Sequence, residues 1–358
     1  MKILITGACA VSARSVLRSL KMSEKFKDAE FIGWDMCSLL YGVYAGEFDR
    51  LYKVPGVADP DYRKIVQKIL DEEKPDAVIV VPEVEVLYWS KNPFNLKYIV
   101  PTPKFAELAI SKERLFDALA DTGLVPKYLN IASSEIMKHD FTNPLGYPVW
   151  IRDGSAGTAS AKGAFKAESI DELQAWVKIN PHTSQFQLSE FLPGRNLGCF
   201  CLFNNGQLIK MAQAQRIEYI MSKVAVSGIT GNTSKGKLLN EEKIKATALR
   251  ALEILSDKVN EKMNGLVVID MKEDNEGNPI ITEINIRHVA FSSSFAMAGQ
   301  NISEAQLLLA LDRDHEVCGP IAMDYPAENL LLRDVDGDPI YVAHPRELNM
   351  GEAFHASN

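Results

Sequence analysis

The pattern of apolar and polar positions changes character partway along the chain. Over the first hundred residues, short apolar runs alternate with amphipathic stretches. "KILITG" (residues 2–7) reads as a buried strand, "AVSARSVLRSLK" (10–21) as a helix and "EFIGWD" (30–35) as a second strand. "DYRKIVQKILDEE" (61–73) follows as an amphipathic helix and "DAVIVVP" (76–82) as a third strand. Strands alternating with helices predict a parallel sheet of the α/β class. The Pro- and Asn-rich segment 92–104 reads as a boundary. After it, "ISKERLFDALADTGLVP" (110–126) is a helix stopped at Gly123, with Pro126 beyond.

From there the pattern turns to hairpins. Residues 147–169 read as a strand, a small-residue loop and a second strand. A helix over 169–180 opens on Ser169, with Glu172 three residues on, as in a capping box. "QFQLSEFLPG" (185–194) is a strand ending in a Pro-Gly turn, and residues 197–214 form a hairpin around Asn205-Gly206. A long amphipathic helix over 241–263 precedes a hairpin over 265–286. A helix over 302–313 and a third hairpin turning at residues 336–338 complete the series.

Composition narrows the class. The chain has 358 residues, 46% hydrophobic and 24% charged, enough for two or three domains. A net charge of -8 and a pI of about 5.4 argue against a nucleic-acid partner. No run of about 18 apolar residues predicts a membrane span, and the N-terminus lacks the layout of a signal peptide. The five cysteines (Cys9, Cys37, Cys199, Cys201, Cys318) lack zinc spacing and suit a reducing, cytoplasmic setting.

Candidate chemistry concentrates in two places. As a strand, "PIITEINIRH" (279–288) points Glu283, Asn285 and Arg287 to one face and Ile284 and Ile286 to the other. With a turn at Glu276-Gly277, Asp270 falls opposite Glu283 on the facing strand, and two carboxylates that close repel unless a cation intervenes. Asp, Glu and Asn are hard oxygen donors suited to magnesium, and Arg287 could clamp a phosphate oxygen. A solvated strand face is the plain alternative. The loop 151–163, "IRDGSAGTASAKG", combines Arg152 and Lys162 with small residues that let backbone N–H groups approach an anion. It is not a Walker loop, and a flexible hairpin would look similar.

In order and spacing, these motifs resemble the ATP-grasp superfamily, most of all its carbamoyl-phosphate-synthase-type carboxylate–amine ligases, over about residues 1–315. The matching pieces are "SKERLFDALADTGLVP", "VWIRDG", "SAGTASAKG", "SEFLPGRN" and "DMKEDNEGNPIITEINIRH". The resemblance implies an α/β chain with a Rossmann-like N-terminal domain (1–104) and an ATP-grasp domain of two α+β subdomains holding the nucleotide between them (105–320). Its lid spans about 126–190, and a C-terminal β-hairpin extension covers 321–358. It implies ATP and Mg2+, with Mn2+ as a substitute, and a ligase that forms an amide or peptide bond through an acyl-phosphate.

Residue by residue, the resemblance assigns Lys112 and Arg152 to the ATP phosphates, with Ser155, Gly157 and Lys162 in the loop. Glu190, Phe191 and Leu192 fall at the adenine, Asn196 at the ribose, where the family usually has an acid, and Asp270, Glu283 and Asn285 at the metal. Arg287 falls at the transferring phosphoryl group. Glu85, Arg216 and His288 are candidates for the substrate side, and residues 227–237 for a second loop there or a solvated one. The family's Pro between Asn and Arg is Ile286 here, and "HVAFSSS" (288–294) replaces its glycine-rich segment. Expected partners are small-molecule carboxylates and amines, amino-acid or peptide-like, with a homodimer as the default assembly.

Two other readings compete. The opening "ILITGACAVSARSVLRSL", Asp35 and Tyr219-x-x-x-Lys223 resemble short-chain NAD-dependent dehydrogenases, though Ala10 and Ala13 stand where glycines would admit a pyrophosphate. A non-catalytic nucleotide-binding descendant of the ATP-grasp enzymes is the other.

Overall fold

The computed structural model describes residues 1–37, 46–154, 164–223, 228, 231–333 and 348–355. The N-terminal region is built on β1 (Lys2–Thr6), β2 (Glu30–Asp35), β3 (Arg50–Lys53) and β4 (Ala77–Ile79), all parallel, in the order β3-β2-β1-β4. Both faces are covered, which is why these strands are continuously apolar. Ile3 and Ile5 pack with Val16, Leu17 and Leu20 of the helix Val11–Lys21. Leu4, Ile32 and Trp34 pack on the other face with Tyr62, Val66 and Ile69 of the helix Tyr62–Glu73. Gly7 ends β1 at φ +66°, where a Cβ would lie 2.5 Å from the Pro82 ring, so only glycine fits there. The boundary segment ends in a helix, Pro103–Ile110, that the pattern did not predict; its Pro starts the first turn, where no N–H partner is needed.

A second sheet comprises β5 (Tyr128–Ala132), β6 (Val149–Asp153), β7 (Phe165–Ala167) and β8 (Gln185–Glu190), in the order β5-β8-β6-β7. It has its own core, with Val149, Ile151, Phe186 and Leu188 packed on Leu173 and Val177 of the helix Ile170–Ile179. Ser169 caps that helix by accepting from the Glu172 N–H, but the Glu172 carboxylate accepts from Glu168 N (2.8 Å), one residue before the cap.

The third sheet contains β9 (Asn196–Asn204), β10 (Gln207–Tyr219), β11 (Thr233–Leu239), β12 (Gly265–Glu273), β13 (Pro279–Asn285) and β14 (Leu331–Leu332). Its order is β13-β12-β9-β10-β11-β14, with every pairing antiparallel. Asn205 and Gly206 turn the β9–β10 hairpin with positive φ, as a two-residue hairpin turn requires. Cys199 and Cys201 point the same way from β9, their sulfurs 3.8 Å apart and buried. The turn expected at residues 336–338 lies outside the described residues. The segments flanking it join the larger sheets: β14 pairs with β11, and β15 (Ala353–His355) runs antiparallel to β3.

The N-terminal sheet carries a testable ion cluster. The Glu73 carboxylate accepts from Arg50 (2.7 and 2.8 Å), from Lys2 (2.8 Å) and from the Tyr52 hydroxyl. Burial works against its charge, but these donors hold its pKa at about 2, below the ordinary 4.5. A depressed carboxylate stabilises the fold above its ordinary pKa, and that stabilisation is lost as pH falls towards the folded value. Glu73→Gln is therefore expected to cost about 3 kcal/mol at neutral pH in urea unfolding, with the difference shrinking below pH 4.5. An unchanged midpoint at neutral pH would count against this account.

Candidate active site

A cavity of about 480 Å³ opens between the β5–β8 sheet and the third sheet, with the β12–β13 hairpin contributing its floor. Asp270 lies opposite Glu283, and Val268 opposite Asn285. Ile281, Ile284 and Ile286 are fully buried, so the polar face of β13 is turned to the cavity and the apolar face to the core. The turn departs from the expected two-residue form. Asp274 N donates to Asn278 O, and the Asp274 side chain accepts from Glu276 N and Asn278 N, giving a wider Asx-type loop. That moves the register by one residue near the turn. A bulge at Thr282 restores it before Glu283, so the Asp270–Glu283 pairing survives.

The bulge also frees a backbone acceptor. Thr282 O takes a hydrogen bond from Arg152 Nη1 at 3.0 Å, which connects β6 to β13. The Arg152 fork also donates to Gln187 Oε1 (2.9 and 2.5 Å), and Gln187 Nε2 in turn donates to Asn130 (3.1 Å). Arg152 is buried with its guanidinium 5.0 Å from the Phe116 ring. Burial lowers its pKa to about 10, with Glu283 pulling the other way. Lys112 starts the helix Lys112–Leu119, behind the Ser111 cap. Burial lowers its pKa too, and Glu283 again opposes the shift. For Glu283 itself, removal from water raises the carboxyl to about 7; Lys112 counters this and Asp270 adds to it.

Arg216 reaches Asp270 across a glycine. Its Nη2 lies 2.5 Å from Asp270 Oδ1, while Asn285 Nδ2 lies 3.3 Å from Oδ2. Gly198 sits directly between them in the β10–β9–β12 ladder, opposite both Ala214 and Asp270. A Cβ there would stand 3.3 Å from Arg216 Nη2, a tight contact, so the glycine leaves the guanidinium more room to cross. Burial opposes the Arg216 charge, but Asp270 and Tyr219 hold its pKa above the usual range. Asp270, Glu283 and Asn285 together make a hard oxygen donor set that fits Mg2+ or Mn2+.

Glu190, Phe191, Leu192 and Asn196 all line the cavity. The Glu190 carboxylate accepts from Lys127 N at 3.0 Å, which fixes the strand that leaves the second sheet. Two lysines that sequence reasoning passed over flank Phe191: Lys166 Nζ is 4.4 Å and Lys272 Nζ 5.2 Å from its ring centroid. Lys272 was legible, because it lies two residues beyond Asp270 on the same strand face. Arg333, at the end of β14, also lines the cavity and donates to Thr233 O at 3.1 Å; no local pattern signals it.

Arg287 lines the cavity and donates to the His288 carbonyl at 2.9 Å. His288 does not reach the cavity. Its ring is 1% exposed and sits between Ser292 Oγ (2.9 Å) and Gln306 Oε1 (2.7 Å), and burial lowers its pKa to about 4. Glu85 is also interior. Its Oε1 accepts from Trp34 Nε1 (3.0 Å) and the Tyr62 hydroxyl (2.8 Å) beneath the N-terminal sheet, and burial raises its pKa. Neither is placed to contact a substrate, because each points into a core rather than into the cavity. Ser155, Gly157 and Lys162 lie outside the described residues, as does part of the 227–237 segment.

The dehydrogenase reading is not supported. Tyr219 ends β10, paired with Thr233 of β11, and Lys223 lies in the turn that follows, so both belong to the third sheet and not to the N-terminal one. Asp35 accepts from the backbone N–H groups of Cys9 and Cys37, at 2.9 Å each.

No family model matches the chain, and no curated protein matches it in sequence. Solved structures match it in three dimensions. An L-amino acid ligase from Bacillus licheniformis aligns with a TM-score of 0.61 at 15% identity, covering 87% of this chain and 74% of that one. D-alanine–D-alanine ligase from Bacillus anthracis, complexed with ATP, gives 0.54 at 13% identity over 87% of this chain and 98% of that one. A protein assigned to the ATP-grasp superfamily from Archaeoglobus fulgidus gives 0.55 at 16% identity, with 86% and 87% covered. The chain therefore has the mixed α/β fold of the ATP-grasp enzymes.

Proposed function

We propose that this protein is an ATP-dependent ligase that joins a small-molecule carboxylate to an amine through an acyl-phosphate, releasing ADP and phosphate. One arrangement carries the reading. Three oxygen-donor side chains, Asp270, Glu283 and Asn285, share a cavity with the guanidinium groups of Arg152, Arg216 and Arg287. The ATP-bound and amino-acid-joining enzymes among the structural neighbours support it.

In this reading residues 1–104 form a Rossmann-like domain and residues 105–320 the ATP-grasp domain, with the lid at about 126–190. The tail (321–358) adds its strands to both larger sheets. Glu190, Phe191 and Leu192 border the adenine, and Asn196 faces the ribose. Lys112 and Arg152 hold the phosphates, with Ser155, Gly157 and Lys162 from the lid loop. Asp270, Glu283 and Asn285 would hold Mg2+ or Mn2+, which when bound neutralises phosphate charge during transfer.

A substrate carboxylate oxygen attacks the γ-phosphorus, and ADP leaves. The amine nitrogen then attacks the acyl carbon, loses a proton, and phosphate leaves. Arg287 stabilises the transferring group. Arg152 supplies charge that is already oriented, since Gln187 and Thr282 hold both arms of its fork. The lid has a separate core, so it can close as a unit and keep water from the acyl-phosphate. The substrates are amino-acid or peptide-like, the setting is the reducing cytoplasm, and the default assembly is a homodimer. No helix among the described residues is long and apolar enough to cross a membrane.

An ADP-release screen of carboxylates crossed with amines, read with product mass spectrometry, tests the proposal. The expected result is ADP release that needs an acid, with an adduct lighter by one water than its two parts. ATP binding without acid-dependent release would instead make the protein a non-catalytic nucleotide binder.

A further inference from the structure

We propose that Cys9, Asp35 and Cys37 form a second metal site, for a thiophilic divalent cation of the zinc type, at the carboxyl ends of the interior strands β1 and β2 of the N-terminal sheet. Cys9 lies in the loop after β1, Asp35 is the last residue of β2, and Cys37 follows two residues later. One ligand atom from each residue lies within 4.8 Å of the others. A tetrahedral zinc with bonds of about 2.3 Å to sulfur and about 2.1 Å to oxygen keeps its donor atoms roughly 3.5–3.8 Å apart. Small side-chain rotations close that gap.

The cluster is held together without a metal. Asp35 Oδ2 accepts from Cys9 N and Oδ1 from Cys37 N, at 2.9 Å each, so one carboxylate ties both loops and brings the two thiols to the same side. Each carboxylate oxygen keeps a further lone pair for a cation. Asp35 is 7% exposed, Cys9 is half-buried and Cys37 is exposed. An oxygen ligand therefore lies at the base and two sulfur ligands nearer the surface, which leaves the fourth position of a tetrahedral cation to water. The site also lies beyond the carboxyl ends of parallel strands, where open α/β sheets take ligands.

The donor set selects the cation. Two sulfurs and one carboxylate favour zinc over magnesium, the reverse of the all-oxygen set at Asp270. Binding displaces one proton from each thiol and leaves a site with one net negative charge.

The test uses the full chain, reduced and stripped of metal, titrated with Co2+. The expected result is thiolate-to-cobalt charge-transfer absorption that saturates at one equivalent per chain. Zn2+ should displace it, and excess Mg2+ should not. Cys9→Ser and Cys37→Ser should each abolish the band, and Cys318→Ser should keep it. Equal metal-free melting temperatures would show that the two variants fold, and added Zn2+ should raise the melting temperature only in chains with both cysteines. Absence of the band, or its persistence in Cys37→Ser, overturns the proposal. So does a Cys9–Cys37 disulfide formed with oxidised glutathione in a chain that binds no zinc. None of these readouts depends on ligase activity.

Discussion

Glu283→Gln is expected to lower acid-dependent ADP release by about a hundred- to a thousand-fold, the usual effect of removing one preorganised charge-stabilising group. It should do so without harming the metal-free fold. Withdrawal from water raises the Glu283 carboxyl from 4.5 to about 7. For an acid the sign is then fixed: the unfolded chain releases this proton more readily than the folded one. The folded state loses stability as pH rises from 4.5 towards 7, and above that the full penalty remains. Glutamine cannot ionise, so the variant avoids the penalty. In metal-free buffer at pH 8 it should unfold at a temperature equal to or above the parent's, and at pH 4 the two should converge. A site that lowers stability for the sake of its chemistry shows this pairing of lost turnover with retained or gained stability. Full turnover in Glu283→Gln would reject the ligase mechanism. A variant less stable than the parent at pH 8 would reject the account of the buried carboxyl.

Arg216→Met is expected to separate metal binding from nucleotide binding. In the metal-free protein Arg216 neutralises Asp270 at 2.5 Å, directly opposite Glu283. A cation arriving at Asp270 competes with that guanidinium. Without it, two carboxylates face each other across paired strands with less positive charge between them. Charges about 4 Å apart near a protein surface interact by roughly 4 kcal/mol. Even after relaxation, Mn2+ should therefore bind the nucleotide-free variant at least about tenfold more tightly, a change of roughly 1.4 kcal/mol. ADP affinity should fall, because one positive charge has left the cavity. The metal-free variant should also melt below the parent and regain its stability in Mg2+. Electron paramagnetic resonance titration of Mn2+, with and without ADP, reads both effects. Unchanged or weaker Mn2+ binding would show that Asp270 is not the position for which cation and guanidinium compete.

Side-chain periodicity made much of this architecture legible from the sequence. Apolar runs split by amphipathic stretches marked β1, β2, β4 and the helices Val11–Lys21 and Tyr62–Glu73. Asn205-Gly206 marked its hairpin through positive φ alone. The facing of Asp270 and Glu283 followed from counting outwards from a turn. It held even though the turn is wider than expected, because the bulge at Thr282 absorbs the difference. Strands β3, β5 and β11 left little trace: β3 has only four residues, and β5 and β11 have irregular burial without a clear period.

The sequence by itself determined which side chains share a face of a strand and where the chain turns, because both depend on neighbours a few residues apart. Only the tertiary structure decided which faces meet. It brought Arg216 across Gly198 to Asp270, fastened Arg152 to a carbonyl exposed by a bulge, and set Cys9 beside Cys37. It also turned His288 and Glu85 inwards, although the resemblance put both on the substrate side. Those outcomes depend on register and packing between elements far apart in the chain, and no local pattern encodes that information.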